Sequence, residues 1–187
     1  IPLRFDGDQP RFFAESPASA APMRAGSFTG SVGHGASCNC VTVTLAPHCH
    51  GTHTECVGHV TREPFSLASV TPVAPMLALL VSVTPRALGT VAPGVHAAPT
   101  DPVIHRDDLA AAAGRWLDAP WTALVVRTLP NDAAKLSRAY GGNPCPAPYF
   151  HADAMRWVVG RNVVSLVCDL PSLDRADDAG RLEAHRV

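Results

Sequence analysis

The sequence has no excess of charge of either sign. Lys and Arg together number 15 and Asp and Glu 16, which gives a formal net charge of -1 at pH 7. A protein that binds nucleic acid neutralises phosphates with an excess of cationic side chains. The composition therefore argues against nucleic acid as a partner.

The sequence also lacks a hydrophobic run of membrane-spanning length. The longest apolar stretch, residues 74–83, is interrupted by Pro75 and Ser82 and has about half of the roughly 20 residues that a spanning helix needs. A charged leader is missing as well, and the cysteines fit reduced thiols better than a disulfide framework. We expect a cytoplasmic protein without membrane insertion. The cysteines are Cys38, Cys40, Cys49, Cys56, Cys145 and Cys168.

No self-similar repeat divides the chain. With 187 residues and 47% hydrophobic content, the sequence predicts one globular domain over residues 1–187. The chain starts at Ile1 rather than Met, and no capping glycine or other stop signal precedes Val187. We therefore treat both ends as open to extension, with room for a site ligand beyond Val187.

Apolar periodicity predicts several strands. Residues 39–45 alternate, with two valines and Leu45 on one face and threonines on the other, as is typical of a strand. Residues 76–84 and 122–128 are short, nearly continuous apolar runs, as expected of central strands covered on both faces. Residues 9–23, rich in Pro, Ala and Ser, are predicted to be irregular.

Two predicted helices alternate with these strands. The first is capped by Asp107, and its apolar residues recur at three- and four-residue spacing: Leu109, Ala112, Ala113 and Trp116. The second has similar spacing and ends at Gly160; its apolar residues are Phe150, Ala154, Trp157 and Val158. Residues 162–168 supply a further strand. The alternation predicts an α/β fold. Trp116 and Trp157 are predicted to lie on the core-facing sides of these helices.

Residues 48–59 hold four histidines, two cysteines and one glutamate. Imidazole, thiolate and carboxylate are the groups that bind zinc and similar ions, and a bound ion can activate water for hydrolysis. Gly51 and Gly58 allow tight backbone turns. His53 and Glu55 lie two residues apart, so in an extended segment they project from one face. The segment predicts a metal site, and the alternative is a histidine-rich surface loop.

Residues 51–55, followed by His59, resemble the His-x-Gly-Thr-His-x-Asp-x-Pro-x-His signature of the cyclase and bacterial kynurenine formamidase family. Residues 124–128 and 167–174, then Leu182 and His185, resemble later blocks of that family in the same order. The resemblance implies a metal-dependent hydrolase of amides, lactams or lactones. It also implies a compact swivelling β/β/α fold in a single domain, and a homodimer.

The resemblance carries roles to individual residues. His53 matches the second histidine of the signature, Glu55 stands where the family has aspartate, and His185 matches a later ligand. His59 matches the closing histidine, which is taken to be the acid/base; histidine titrates near neutrality. The expected catalytic residue is therefore His59, and the alternatives for it are a third imidazole ligand or a structural hydrogen-bonding residue. The cofactor implied is a divalent metal, with zinc first and manganese or iron as alternatives.

The first ligand departs from the family pattern. Cys49 stands four residues before His53, where the family has histidine. His48 replaces it if the loop bulges by one residue; Cys49 as thiolate and His50 are the other candidates. We predict His48, so the expected metal ligands are His48, His53, Glu55 and His185. Glu55 has one methylene more than the family's aspartate, so the metal spacing can differ from that of relatives. The family's later glutamate ligand would fall beyond Val187, so we expect the second metal position to be incomplete within these residues.

Other site chemistries receive less support from the sequence. Cys38, Cys40, Cys49 and His53 could form a closed structural zinc site, although their spacing is not a strong finger pattern. No Gly-x-Ser-x-Gly elbow is present, which disfavours a serine nucleophile. Cys56 lies three residues before His59 and is a candidate nucleophile, but a small buried thiol is the commoner outcome. A catalytically silent family member is the remaining alternative.

Overall fold

The computed structural model describes residues 3–13, 16–71, 74–91, 96–140 and 147–187. The chain divides into two compact units. The first unit contains Ile1–His53 and Ala134–Tyr140, and the second contains Thr54–Ala133 and Gly141–Val187. The domain boundary of 1–187 stays a prediction. Cys145 lies outside the described residues.

Strands and helices alternate along the described residues. The strands are β1 (Ser19–Pro22), β2 (Arg24–Ala25), β3 (Phe28–Thr29), β4 (Val41–Thr44), β5 (Ala78–Val83), β6 (Arg86–Ala87), β7 (Pro102–Ile104), β8 (Ala123–Thr128), β9 (Tyr149–Phe150) and β10 (Ser165–Cys168). The α-helices are α1 (Pro47–His50), α2 (Arg106–Ala113) and α3 (Ala152–Gly160). Short 3-10 turns cover Val32–His34, Val57–His59, Leu67–Ser69, Gly114–Trp116 and Ala133–Leu136.

The second unit is built on a parallel sheet with the order β10-β8-β5. The predicted strand-helix-strand unit is confirmed, since α2 lies between β5 and β8 in the chain. The prediction that both strands are central is wrong for β5, which is an edge strand. Leu80 on β5 is 57% exposed, because the residues that the structure describes cover only the opposite face of the sheet.

The covered face of this sheet packs against α2 and α3. Val81, Leu124 and Val126 from the sheet meet Leu109 of α2 and Val158 of α3 in one buried cluster. Burying a side chain of this size contributes about 1.5–3 kcal/mol. This cluster is the core that holds the second unit together.

Two aromatic predictions have different outcomes. Trp157 packs against the core cluster as predicted. Trp116 is not a helix-core residue, because α2 ends at Ala113 and Trp116 follows in a 3-10 turn, where 52% of it is exposed.

Both long helices begin with a histidine. His105 is the N-cap of α2 and forms a capping box with Asp108, so the predicted cap at Asp107 is wrong by two residues. His151 is the N-cap of α3. Phe150, predicted inside that helix, is instead the last residue of β9. It pairs in register with Ile104 of the parallel strand β7.

The first unit contains an antiparallel pair, β1 with β4. The strand predicted in residues 39–45 is confirmed as β4. The irregular interpretation of residues 9–23 is wrong in part, since Ser19–Pro22 forms β1. All residues of both strands are exposed, so the valines of β4 do not pack into a core.

None of the helices in the described part of the chain has the length and apolar character required to cross a membrane.

Candidate metal centre

In the first unit, a short helix brings two predicted ligands together. Pro47 occupies the first position of α1, where its fixed φ suits a helix start. The rings of His48 and His53 lie 4.8 Å apart. Nδ1 of His53 lies 2.9 Å from the carbonyl oxygen of Gly51. Since a carbonyl only accepts, Nδ1 donates to it and the lone pair of the ring is on Nε2.

His50 has a structural role in the same unit. It is 4% exposed. Its Nδ1 accepts the backbone N–H of Ala46 at 2.8 Å, and its Nε2 donates to the carbonyl oxygen of Ser16 at 2.6 Å. Both ring nitrogens are therefore engaged, and His50 is not suited to replace the first ligand of the family signature.

In the second unit, Glu55 lies between two histidines. Nε2 of His185 is 3.0 Å from Oε1 of Glu55, across a separation of 130 residues. Nε2 of His59 is 3.8 Å from Oε2 of Glu55. One ligand atom from each of the three side chains lies within 4.8 Å of the others. The three form one cluster of nitrogen and oxygen donors.

Gly58 positions the turn that carries His59. A Cβ atom on Gly58 would lie 2.6 Å from the carbonyl oxygen of Phe65, a distance too short for any other residue. The thiol of Cys56 lies 3.7 Å from the same carbonyl oxygen. The close packing of this turn against Phe65 therefore depends on a glycine at position 58.

Asp174 holds His185 in place, a role that the sequence had not assigned. The carboxylate is 7% exposed and accepts the backbone N–H groups of Ala184 at 2.7 Å and of His185 at 3.1 Å. Its Oδ2 also lies 2.5 Å from Nδ1 of His185. The only signal in the sequence was that residues 167–174 resemble a family block.

These contacts set the charge of the cluster. Hydrogen bonds to Asp174 and then to Glu55 raise the pKa of His185 to about 9, against the opposing effect of burial. Burial raises the pKa of Asp174, but hydrogen bonds from His185 and from the backbone of Ala184 lower it by more. Near neutral pH, His185 is therefore an imidazolium whose Nε2 proton points at Glu55. A divalent cation fits the place of that proton, because the same nitrogen and oxygen are its preferred donors.

Sulfur is a poor candidate ligand here. Burial raises the pKa of the Cys168 thiol to about 11, and the charges of Asp169 and Glu55 add to this effect. The thiol therefore stays protonated near neutral pH, whereas a metal ligand must be a thiolate. In the first unit, Cys38, Cys40 and Cys49 belong to none of the clusters that could hold an ion among the described residues. The structural zinc alternative has no geometric support.

Residues 3–175 match a family model named Cyclase, with the description "Putative cyclase". The chain belongs to the Cyclase family. The match confirms the predicted recognition and the cyclase-like α/β fold. The Cyclase match includes Glu55, His59 and Asp174 and ends before His185. The connection of His185 to the cluster therefore rests on the resemblance noted in the sequence and on its contact with Glu55. Comparison with curated proteins gives no match.

Proposed function

We propose that this Cyclase family member is a metal-dependent hydrolase that cleaves an amide, lactam or lactone bond. The observation that carries the proposal is the 3.0 Å contact between Nε2 of His185 and Oε1 of Glu55. A histidine from the far end of the sequence meets the carboxylate of the signature, and both are donors that zinc and manganese accept.

Glu55 and His185 are the proposed ligands that the second unit supplies. His48 and His53 complete the proposed set on sequence grounds, since one residue separates His53 from Glu55. Zinc is the first choice of ion and manganese the second, because imidazole suits zinc and carboxylate suits both. When bound, such an ion supplies Lewis acidity that polarises a carbonyl and makes water more acidic.

His59 is the proposed acid/base. Its Nε2 lies 3.8 Å from Oε2 of Glu55, and the side chain is one-third exposed, so a substrate can reach it. The imidazole of His59 takes a proton from attacking water and returns it to the leaving nitrogen or oxygen. Gly58 allows the close packing of the turn that carries this ring.

A second role for His59 has its own support. Its ligand atom lies within 4.8 Å of those of Glu55 and His185, so the ring can serve as a third ligand. In that case the domain binds a metal without a dedicated acid/base. The variant His59→Gln distinguishes the two roles. If His59 is the acid/base, the variant keeps the metal and its kcat falls about 10²–10⁴-fold. If His59 is a ligand, the variant loses metal affinity.

The test of the proposed function is elemental analysis of the purified full chain together with hydrolysis of formamides, lactams and lactones. The proposal expects a bound divalent metal at one or two equivalents and turnover that a chelator abolishes and added zinc restores. His34→Gln, at an exposed histidine of the first unit, is the matched control for His59→Gln and should leave turnover unchanged. Metal-loaded protein with no turnover on the whole panel would favour the catalytically silent alternative.

We also propose a homodimer in the cytoplasm, as the family resemblance and the cysteine usage imply. Val41 and Val43 are 60% and 47% exposed on β4, and apolar strand residues of this kind are commonly covered in an assembly. Light scattering of the purified protein tests the stoichiometry, and a monomer at micromolar concentration would overturn it.

A further inference from the structure

A second cluster of ligating side chains lies in the second unit, away in sequence from Glu55 and His185. It consists of His105, His151 and Asp153, and one ligand atom from each lies within 4.8 Å of the others. None of these residues belongs to the proposed hydrolytic site. The cluster therefore calls for an explanation of its own.

The fold places the two imidazoles side by side. Ile104 and Phe150 pair in the parallel strands β7 and β9, and the next residue of each strand is a histidine. The carboxyl ends of neighbouring parallel strands lie at the same edge, so His105 and His151 leave the sheet together. Their rings stack with centroids 5.3 Å apart and an interplanar angle of 28°.

Helix capping does not account for the choice of histidine. His105 and His151 are the N-caps of α2 and α3, where Ser, Thr, Asp or Asn are preferred. Any of these would accept a backbone N–H of the first turn with a smaller side chain. What histidine adds at both positions is an imidazole nitrogen, a ligand that ions of the zinc class prefer.

The hydrogen bonds show which nitrogen of His151 is available. Nδ1 lies 2.7 Å from Oδ1 of Asp153 and 3.3 Å from its backbone nitrogen. The shorter contact is with a carboxylate, which accepts, so Nδ1 carries the proton and Nε2 carries the lone pair. A carboxylate that orients a histidine in this way is the usual arrangement behind a metal-bound imidazole.

His105 is held differently. Its ring accepts the backbone N–H of Asp108, while the Asp108 side chain accepts the backbone N–H of His105 at 2.8 Å. An ion that takes the lone pair of the ring replaces the first of these bonds and leaves the second. The helix start therefore keeps half of its capping box when an ion binds.

The charges around the cluster favour a neutral His105 ring and an anionic Asp153 carboxylate. Burial lowers the pKa of His105, and Arg86 and His151 lower it further. Burial raises the pKa of Asp153, but the hydrogen bond and charge of His151 lower it by more. The side chains of His151 and Asp153 are 42% and 44% exposed, so an ion from solvent can reach them.

We propose that His105 and His151 are ligands of a second metal site, for a divalent ion of the zinc or nickel class, in which Asp153 orients the ring of His151. Imidazole nitrogen favours this class over magnesium or calcium. The bound ion joins the first turns of α2 and α3, which lie against the core, and so stabilises the second unit.

The test uses the full chain and zinc alone. Equilibrium dialysis with elemental analysis compares wild type with the double variant His105→Asn/His151→Asn. Asparagine is a good N-cap, so the variant keeps both helix starts while it loses both imidazoles. The proposal expects the variant to bind one equivalent of zinc less than wild type and to keep its helix content by circular dichroism.

Two further variants test the role of Asp153 and the specificity of the histidine change. Asp153→Asn removes the orienting carboxylate and is expected to weaken zinc binding at this site about 10–100-fold. His34→Asn/His96→Asn, at two exposed histidines, makes the same chemical change elsewhere and should leave the stoichiometry unchanged. An unchanged zinc stoichiometry in the His105→Asn/His151→Asn variant would overturn the proposal.

Should that variant fail to fold, nitrogen-15 spectra of the wild-type imidazoles give the answer directly. Zinc is expected to shift the Nε2 signal of His151 and a ring nitrogen of His105 at the stoichiometric point. Resonances of both rings that do not respond to zinc at millimolar concentration would contradict the site. Chelator-sensitive hydrolysis depends on Glu55 and His185, so the outcome is independent of the proposed function.

Discussion

Oδ2 of Asp174 lies 2.5 Å from Nδ1 of His185, and this contact determines which ring nitrogen faces Glu55. Because the carboxylate is ionised and accepts, Nδ1 keeps its proton and Nε2 is directed at Oε1 of Glu55, 3.0 Å away. A carboxylate that accepts from the far nitrogen fixes the tautomer of a metal-binding histidine and increases its basicity. Asp174 is thus a positioning residue for the proposed centre.

Asp174→Asn is expected to weaken zinc binding about 10–100-fold, which is typical when an orienting partner of a metal ligand is lost. Competition with a chromophoric chelator measures the affinity. Asp101→Asn is the matched control, since Asp101 is 2% exposed and binds Arg175 at 2.7 Å in the same unit. Both variants should lose stability, but only Asp174→Asn should lose affinity. Equal zinc affinities in the two variants would show that Asp174 does not position His185 for the metal.

The stability of the metal-free protein should depend on pH through His185. The pKa of this group is about 9 in the folded chain, above the ordinary histidine value of 6.5. Its contribution to the free energy of unfolding is therefore full below about pH 6.5, declines above it and is lost above about pH 9. The pKa of Asp174 is lowered from its ordinary value of 3.8. Its contribution to the free energy of unfolding is therefore present above about pH 3.8 and is lost as the pH falls further.

Urea denaturation of chelator-treated protein at pH 5.5, 7.5 and 9.5 measures this profile. His185→Gln should abolish the decline on the alkaline side, because the titrating group is gone. Zinc competes with the Nε2 proton, so its affinity should rise over the same interval. A metal-free protein that is more stable at pH 9.5 than at pH 5.5 would show that the imidazolium does not support the fold.

Gly58→Ala is expected to displace the turn that carries His59. The new Cβ would meet the carbonyl oxygen of Phe65 at 2.6 Å, so the backbone has to shift. A shift of about 1 Å at an acid/base group can reduce kcat about 10²-fold. Gly160→Ala is the control, since nothing lies within 4 Å of a Cβ at that position. Steady-state kinetics should show a lower kcat for Gly58→Ala alone.

Leu124→Ala is expected to destabilise the second unit by about 2–5 kcal/mol through the cavity it leaves. Leu124 lies on the central strand β8 and is 0% exposed. Leu80→Ala on the neighbouring strand removes the same atoms from a side chain that is 57% exposed and should cost under about 1 kcal/mol. Chemical denaturation measures both values, and comparable losses would show that the sheet is covered on the other face as well.

Local periodicity was sufficient to predict that β5, β8 and α2 exist, whereas features set by tertiary context were missed. Residues 122–128 are apolar enough to predict β8, and the spacing from Leu109 predicted α2. The exposure of Leu80 depends on which face of the sheet is covered, which no local pattern encodes. The capping role of His105 was also missed, because histidine is a weak N-cap and Asp107 a strong one by propensity.

The candidate centre could be predicted only in part for a similar reason. The density of ligating side chains in residues 48–59 and the family resemblance selected Glu55, His59 and His185 for one site. The role of Asp174 depends on a contact between two segments 11 residues apart and needed coordinates. His50 looked equivalent to its neighbours in sequence, and only its buried contact with Ser16 shows that it has a structural role.

Anomalous diffraction at the zinc absorption edge, from crystals of the zinc-loaded full chain, tests the central claim most directly. The account predicts a peak about 2.0–2.2 Å from both Nε2 of His185 and a carboxylate oxygen of Glu55. A zinc-saturated crystal that shows no peak there, with the His185 and Glu55 side chains still hydrogen-bonded to each other, would contradict it.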